Sequence, residues 1–139
     1  MKKENIFQKS ESALIAKKIF VEKMNFQRNQ IASGVIRLTQ SSIGKNIDKL
    51  DEKEYKCSLT LKMSDEEETV DLEIVISGIF EFESELNADQ KEIIITKNTM
   101  SILFPYLRAQ VTLMTAQPDI EPVVIPAINI NALLQNLDE

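Results

Sequence analysis

From Glu54 to Met63 the chain alternates without a break. Tyr55, Cys57, Leu59, Leu61 and Met63 fall on one side, and Glu54, Lys56, Ser58, Thr60 and Lys62 on the other. A period of two is that of a half-buried strand. After an acidic turn, Ser64 to Glu68, the alternation resumes, with Val70, Leu72, Ile74, Ile76, Phe80 and Phe82 set against Asp71, Glu73, Ser77, Glu81 and Glu83. The two runs predict a long antiparallel hairpin with one apolar and one acidic face. Gly78 interrupts the apolar row, which marks either a bulge or the close approach of another group.

The period changes over Ser101 to Gln117. Leu103, Leu107, Val111 and Met114 recur at helical spacing and are flanked by Ile102, Tyr106 and Leu113. So wide an apolar stripe calls for burial on more than one side. Asn98 or Thr99 is the expected cap, and Pro105 lies near enough to the start not to break the helix. Asn87 with Gln90 three residues on would cap a short preceding helix through the run DQKEIIITK. Pro118, Pro122 and Pro126 exclude regular helix from Pro118 to Asn129, so this is an extended crossing segment. Asn129 then caps a last helix with the stripe Ile130, Leu133, Leu134 and Leu137.

The first third is less regular. Residues 1–13 read as a loose arm. In Leu14 to Phe26, the residues Phe20, Met24 and Phe26 fit one face of a strand, while Ile15 with Ile19 and Phe20 with Met24 fit a helix. Asn29 to Gly34 carries turn chemistry, Val35 to Ile43 contains a short candidate strand centred on Ile36 and Leu38, and Asn46 to Lys53 reads as a charged connection.

At 139 residues the chain makes one domain with its own core. A net charge of -6 argues against a nucleic-acid partner, because phosphate binding draws on clustered cations. Cys57 is the only cysteine, so no internal disulfide forms and a reducing compartment is expected. No apolar run is long enough for a signal peptide or a membrane span. The expected location is the cytoplasm, without membrane insertion. Catalysis has little to work with: there is no histidine, three glycines and no Cys/His spacing for a metal, so no enzyme, cofactor or metal is expected. The acids Asp65 to Glu68 lack calcium-loop spacing and read as a solvated turn. Cys57 reads as a buried structural thiol.

Three pieces of the chain, SGIFEF at Ser77 to Phe82, NTMSILFPYLR at Asn98 to Arg108 and IPAININALL at Ile125 to Leu134, resemble the SecB export-chaperone family, with IFVEKMNF at Ile19 to Phe26 a weaker fourth. The resemblance implies an α+β fold, a four-stranded antiparallel sheet with helices packed on one face, assembled as a dimer or tetramer through the long helix. It implies an ATP-independent holdase for unfolded or precursor polypeptides. The acidic positions by which the family's first strand docks the export motor ATPase fall here on Lys23 and Gln27, and the chain ends just after the last helix. Docking of that motor is therefore left in doubt.

The candidate polypeptide-binding groove comprises Phe80, Phe82, Phe104, Tyr106 and Ile125, between the sheet edge, the central helix and the proline segment. Any of its aromatic rings can equally be core. Asp71, Glu73, Glu81 and Glu83 form a candidate partner-docking acidic face or simply a solvated one. Leu103, Leu107, Arg108, Val111 and Met114 are the candidate oligomer interface, with Arg108 as an ion-pair partner there. The alternative to a general holdase is an adaptor that binds one segment of one partner through the same groove.

Overall fold

Four antiparallel strands form one sheet in the order β1-β4-β3-β2. They are β1 (Leu14–Arg28), β2 (Gln40–Lys49), β3 (Glu54–Ser64) and β4 (Val70–Phe82). The computed structural model describes residues 14–82 and 87–137. The expected arm over residues 1–13, and Glu83, lie outside the described residues. Helices α1 (Ala88–Ile93), α2 (Thr99–Thr115) and α3 (Ile130–Leu137) follow the sheet.

The predicted hairpin is β3 and β4, paired from Glu54 with Glu81 to Ser64 with Asp71. Its apolar row faces α2. Leu59, Ile74 and Ile76 meet Leu103, Leu107 and Val111 in a core that excludes solvent. A fully buried side chain of this kind stabilises the fold by about 1.5–3 kcal/mol. Gly78 belongs to that contact: a Cβ there would come within 2.7 Å of the Phe80 ring and 3.2 Å of Leu103. The missing side chain lets the helix approach, and the bulges lie elsewhere.

They lie in β1, whose register with β4 shifts between Ala16 and Lys18 and between Val21 and Lys23. Each extra residue reverses the side that later side chains face. Phe20 therefore pairs with Ser77 on the outer face, whereas Met24 and Phe26 pair with Ile74 and Leu72 on the inner face. A strand with two phase shifts leaves apolar residues at helix-like spacing, which is why this segment reads both ways.

The candidate strand at Val35 to Ile43 is displaced. Ile36 and Leu38 are buried, but Ile36 makes a single parallel bridge to Ile120 and the true strand begins at Gln40. Half of the charged connection, Asn46 to Lys49, is the far end of β2. As an edge strand it buries little, and only Ile43 and Ile47 pack against the core.

The Asn87 capping box forms, with the Asn87 side chain accepting from the Gln90 amide and the Gln90 side chain accepting from Asn87. The expected cap at Asn98 or Thr99 does not form, because α1 runs into α2 through a π-helical turn, Ile94–Asn98, with Asn98 itself helical. Pro105 sits inside α2 on its exposed side. Asn129 caps α3, accepting from the Ala132 amide at 3.1 Å.

Candidate functional site: an apolar trough along β2

The crossing segment is fastened along the flank of α2 by that helix's own polar side chains. Arg108 Nε donates to the Ile125 carbonyl at 2.8 Å, and Thr112 Oγ1 to the Val123 carbonyl at 2.9 Å. The Val123 amide donates to Thr115 Oγ1 at 2.8 Å. Its start is pinned to the β1–β2 connection by Ile36, whose amide donates to Asp119 and whose carbonyl accepts from Glu121. Arg28 grips the Asp119 carboxylate with both terminal nitrogens, at 3.2 and 2.7 Å. The three prolines keep the segment extended, so it cannot collapse onto the sheet.

A trough of about 430 Å³ therefore stays open between this segment and the β2 edge. Ile43, Leu61 and Met63 form its sheet wall, Phe104 its helix wall, and Ile125, Ile128, Leu133 and Leu137 the wall opposite β2, with Ser41 and Ser42 at the rim. None of these residues is charged.

Of the expected groove residues, Phe104 and Ile125 meet in this trough. Phe80 and Phe82 do not. Both are sealed in the core, Phe82 under the edge of Tyr55 with ring centroids 5.7 Å apart. Tyr106 projects from α2 and is 51% exposed. Among the trough residues not expected there, Leu133 and Leu137 were legible as part of the last helix's apolar stripe, whereas Ile43 and Ile128 were only isolated apolar positions.

The expected interface set is also redistributed. Leu103, Leu107 and Val111 are fully buried against the sheet, and Met114 is nearly so. Arg108 donates to the crossing segment. Tyr106 and Leu113 are the large apolar side chains that α2 leaves exposed, and Val21 and Met24 of β1 are 40% and 47% exposed. Met24, Phe26, Leu113 and Met114 line a second, shallow depression of about 420 Å³ with Gln110 and Gln117. The sequence signal for this strip was the width of the α2 stripe.

The acidic row on the outer face is interleaved with cations from β1 and β3. Lys23 pairs with Glu73 at 2.9 Å, and Lys17 with Glu54 and Glu81 at 3.1 and 3.7 Å. Asp71 accepts from Asn29 at 2.9 Å. The Lys23 hydrogen bond holds Glu73 below the usual carboxylate range. Glu22, at a β1 bulge, accepts from Lys56 and from Ser77, and both bonds lower its pKa. Ser77 in turn contacts Ser58 at 2.8 Å. Burial pushes the Cys57 thiol up to about 11, although a hydrogen bond with Thr99 acts the other way. Among the described residues no cluster fit to hold a metal occurs, and no helix is long and apolar enough to cross a membrane.

The profile of preprotein translocase subunit SecB matches residues 8–139. The chain belongs to the SecB family. The solved Mycobacterium tuberculosis SecB-like chaperone Rv1957, in complex with a ChAD peptide from the HigA1 antitoxin Rv1956, superposes with a TM-score of 0.67 at 10% identity, over 84% of this chain and 88% of that one. A Streptococcus agalactiae protein of unknown function superposes with a TM-score of 0.50 at 14% identity, over 81% and 96%. In sequence, the uncharacterized protein MJ0357 of Methanocaldococcus jannaschii is 43% identical over 42 residues, 30% of this chain and 27% of its own length. The expected α+β fold is the one observed, and it is a SecB fold.

Proposed function

We propose that this SecB-family protein is an ATP-independent holdase, and that unfolded or precursor polypeptides occupy the trough along β2. One observation carries the reading: a charge-free apolar trough of about 430 Å³ stands open to solvent in a protein with an otherwise closed core. Holding needs no chemical step. Binding the unfolded state and not the native one lowers the free concentration of aggregation-prone chains by mass action. Leucine, isoleucine, methionine and phenylalanine supply adaptable contacts that fit many sequences, where fixed hydrogen-bond readout would select one.

The protein works as a homo-oligomer. Its contact is the strip of Val21, Met24, Tyr106 and Leu113 on the β1 side, which leaves the trough free at the opposite edge of the sheet. Several troughs on one assembly then add through effective concentration. The cytoplasm is its expected compartment, and the lone buried thiol of Cys57 suits a reducing one. Delivery to an export motor is not part of this reading, since Lys23 already occupies Glu73 on the outer face.

A narrower reading is an adaptor for one partner segment, which the antitoxin peptide held by the mycobacterial neighbour favours. Titration against a panel of unrelated unfolded proteins separates them: broad micromolar binding supports the holdase, and silence across the panel supports the adaptor. Suppression of light scattering from a refolding aggregation-prone protein, without nucleotide, tests the main reading. No suppression at one assembly per client contradicts it.

A further inference from the structure

The connection between β1 and β2 is tied down at both ends and still holds apolar side chains out to solvent. The Asn29 amide donates to the Thr69 carbonyl at 2.7 Å, the Asn29 side chain to the Glu68 carbonyl at 2.8 Å, and the Gln30 side chain to Thr69 Oγ1 at 3.3 Å. At the other end Ile36 is bridged to the crossing segment, and Ile36 and Leu38 are buried. Between these anchors Ile31 is 92% exposed and Val35 68%. Single apolar side chains on a surface are ordinary. These two share a groove of about 620 Å³ with the β3–β4 turn, where Asp65, Glu66 and Glu67 line the other side. The turn is fixed as well: Asp65 accepts from the Val70 amide at 2.9 Å, and Glu68 takes the left-handed conformation. Glu66 and Glu67 are exposed and make no ion pair among the described residues. Arg37, at the rim, is paired with Glu121 at 2.8 Å.

We propose that this groove docks a basic segment of a partner protein, an extended run in which lysine or arginine alternates with apolar side chains. Its apolar side chains cover Ile31 and Val35, and its cations meet Glu66 and Glu67. Charge complementarity selects this occupant. Nucleic acid, anionic lipid and acidic polypeptides are repelled by the same carboxylates, and an uncharged apolar segment would desolvate them without supplying a partner. The groove shares no residue with the trough along β2, whose lining carries no charge. The two therefore sort polypeptides by different properties, and the docking of a basic segment does not depend on the trough being the client site. It also lies apart from the outer acidic row, where Lys23 already pairs with Glu73.

The probe is the blocked peptide acetyl-Lys-Val-Lys-Ile-Lys-Val-Lys-amide, titrated by calorimetry against the full chain, with glutamate in place of every lysine as the control. Docking predicts that only the lysine peptide binds, and that its affinity falls about fivefold or more between roughly 50 and 300 mM salt. Glu66→Lys with Glu67→Lys is expected to weaken binding about tenfold or more, and Ile31→Ser about fivefold. All three side chains are exposed, so both variants are expected to unfold at the wild-type denaturant midpoint. Leu137→Ser, at the trough, is expected to change the affinity less than twofold. A loss with Leu137→Ser and none on charge reversal would place the peptide in the trough and overturn the proposal, leaving the client site as it was. Binding of both peptides alike, or of neither, also overturns it. Protection of the Ile31 to Val35 amides from exchange before any peptide is added, relieved on dilution, assigns the groove to a second copy of the chain and overturns it too. If the lysine peptide binds as expected while aggregation is not suppressed, the holdase reading fails alone.

Discussion

At the β1 end of the sheet, Met24 stands beside Leu113 of α2, flanked by Gln110 and Gln117. At the β2 end, Ile43 and Met63 face Ile125, Ile128 and Leu137 across a gap held by Arg108 and Thr112. The side chains are of the same kinds, but the β1 depression is shallow and shared by a strand and a helix, whereas the β2 trough is kept open by a braced proline segment. On the proposed reading, the exposed apolar strip is buried by meeting the same strip of a second copy. A braced concavity accepts a guest and returns to its open form when the guest leaves. On the proposed reading, bracing more than hydrophobicity divides assembly from client binding.

The comparison is sharpened most by substitutions along α2 itself. Leu107→Ala removes a fully buried side chain and is expected to cost about 2–5 kcal/mol in denaturant unfolding. Leu113→Ala, at 66% exposure, is expected to leave monomer stability unchanged within about 0.5 kcal/mol. Equal costs would mean that α2 does not present one face inward and the other outward.

Charge placed on the β1 strip comes next. Met24→Glu with Leu113→Glu is expected to lower the solution mass to that of a monomer, and to weaken holding of a large client by roughly tenfold or more as multivalency is lost. An unchanged mass would remove the strip as the interface. On the trough side, Leu137→Ser is expected to leave the mass unaltered and weaken client binding by about fivefold to tenfold, the effect of losing roughly 1 kcal/mol of apolar contact. Leu137 is 57% exposed, so the fold does not depend on it.

The smallest effect concerns the outer face, which belongs to neither region. The pKa of Glu22 is lowered in the fold from its ordinary 4.5. Its contribution to stability is therefore present above that value and fades as pH falls through the folded one. Glu22→Gln is expected to flatten the stability profile slightly in that acid window, by little because the pair with Lys56 is partly exposed. Client binding near neutral pH is expected to be the same in both proteins.

The β3–β4 hairpin, the capped helices and the crossing segment were legible because each rests on a local rule: unbroken alternation, a side chain accepting a backbone amide, or proline geometry. β1 was ambiguous because Lys17 and Glu22 shift its phase, and β2 was displaced because an edge strand with only Ile43 and Ile47 packed inward has almost no pattern to read. A trough does lie between helix, sheet edge and proline segment, and of the expected groove residues Phe104 and Ile125 line it. Phe80 and Phe82 were misplaced because a sequence gives the inner face of a strand but not how completely a helix covers it. The interface set was drawn from the strongest α2 stripe, and the strongest stripe is the one a protomer buries for itself. The weaker flank, Tyr106 and Leu113, is the part that stays exposed.

The central claim is that the trough stays open once the subunits have associated and closes only around a client. Because Cys57 is buried and its thiol raised to about 11, it is expected to stay silent to alkylation near neutral pH, and Leu137→Cys would place one reactive thiol at the mouth of the trough. The direct measurement is the alkylation rate of that thiol in the assembled protein, alone and with an unfolded client. The account predicts rapid labelling alone and slowing of about tenfold or more with client bound. Slow labelling before any client is added, or a rate that the client does not change, would contradict it.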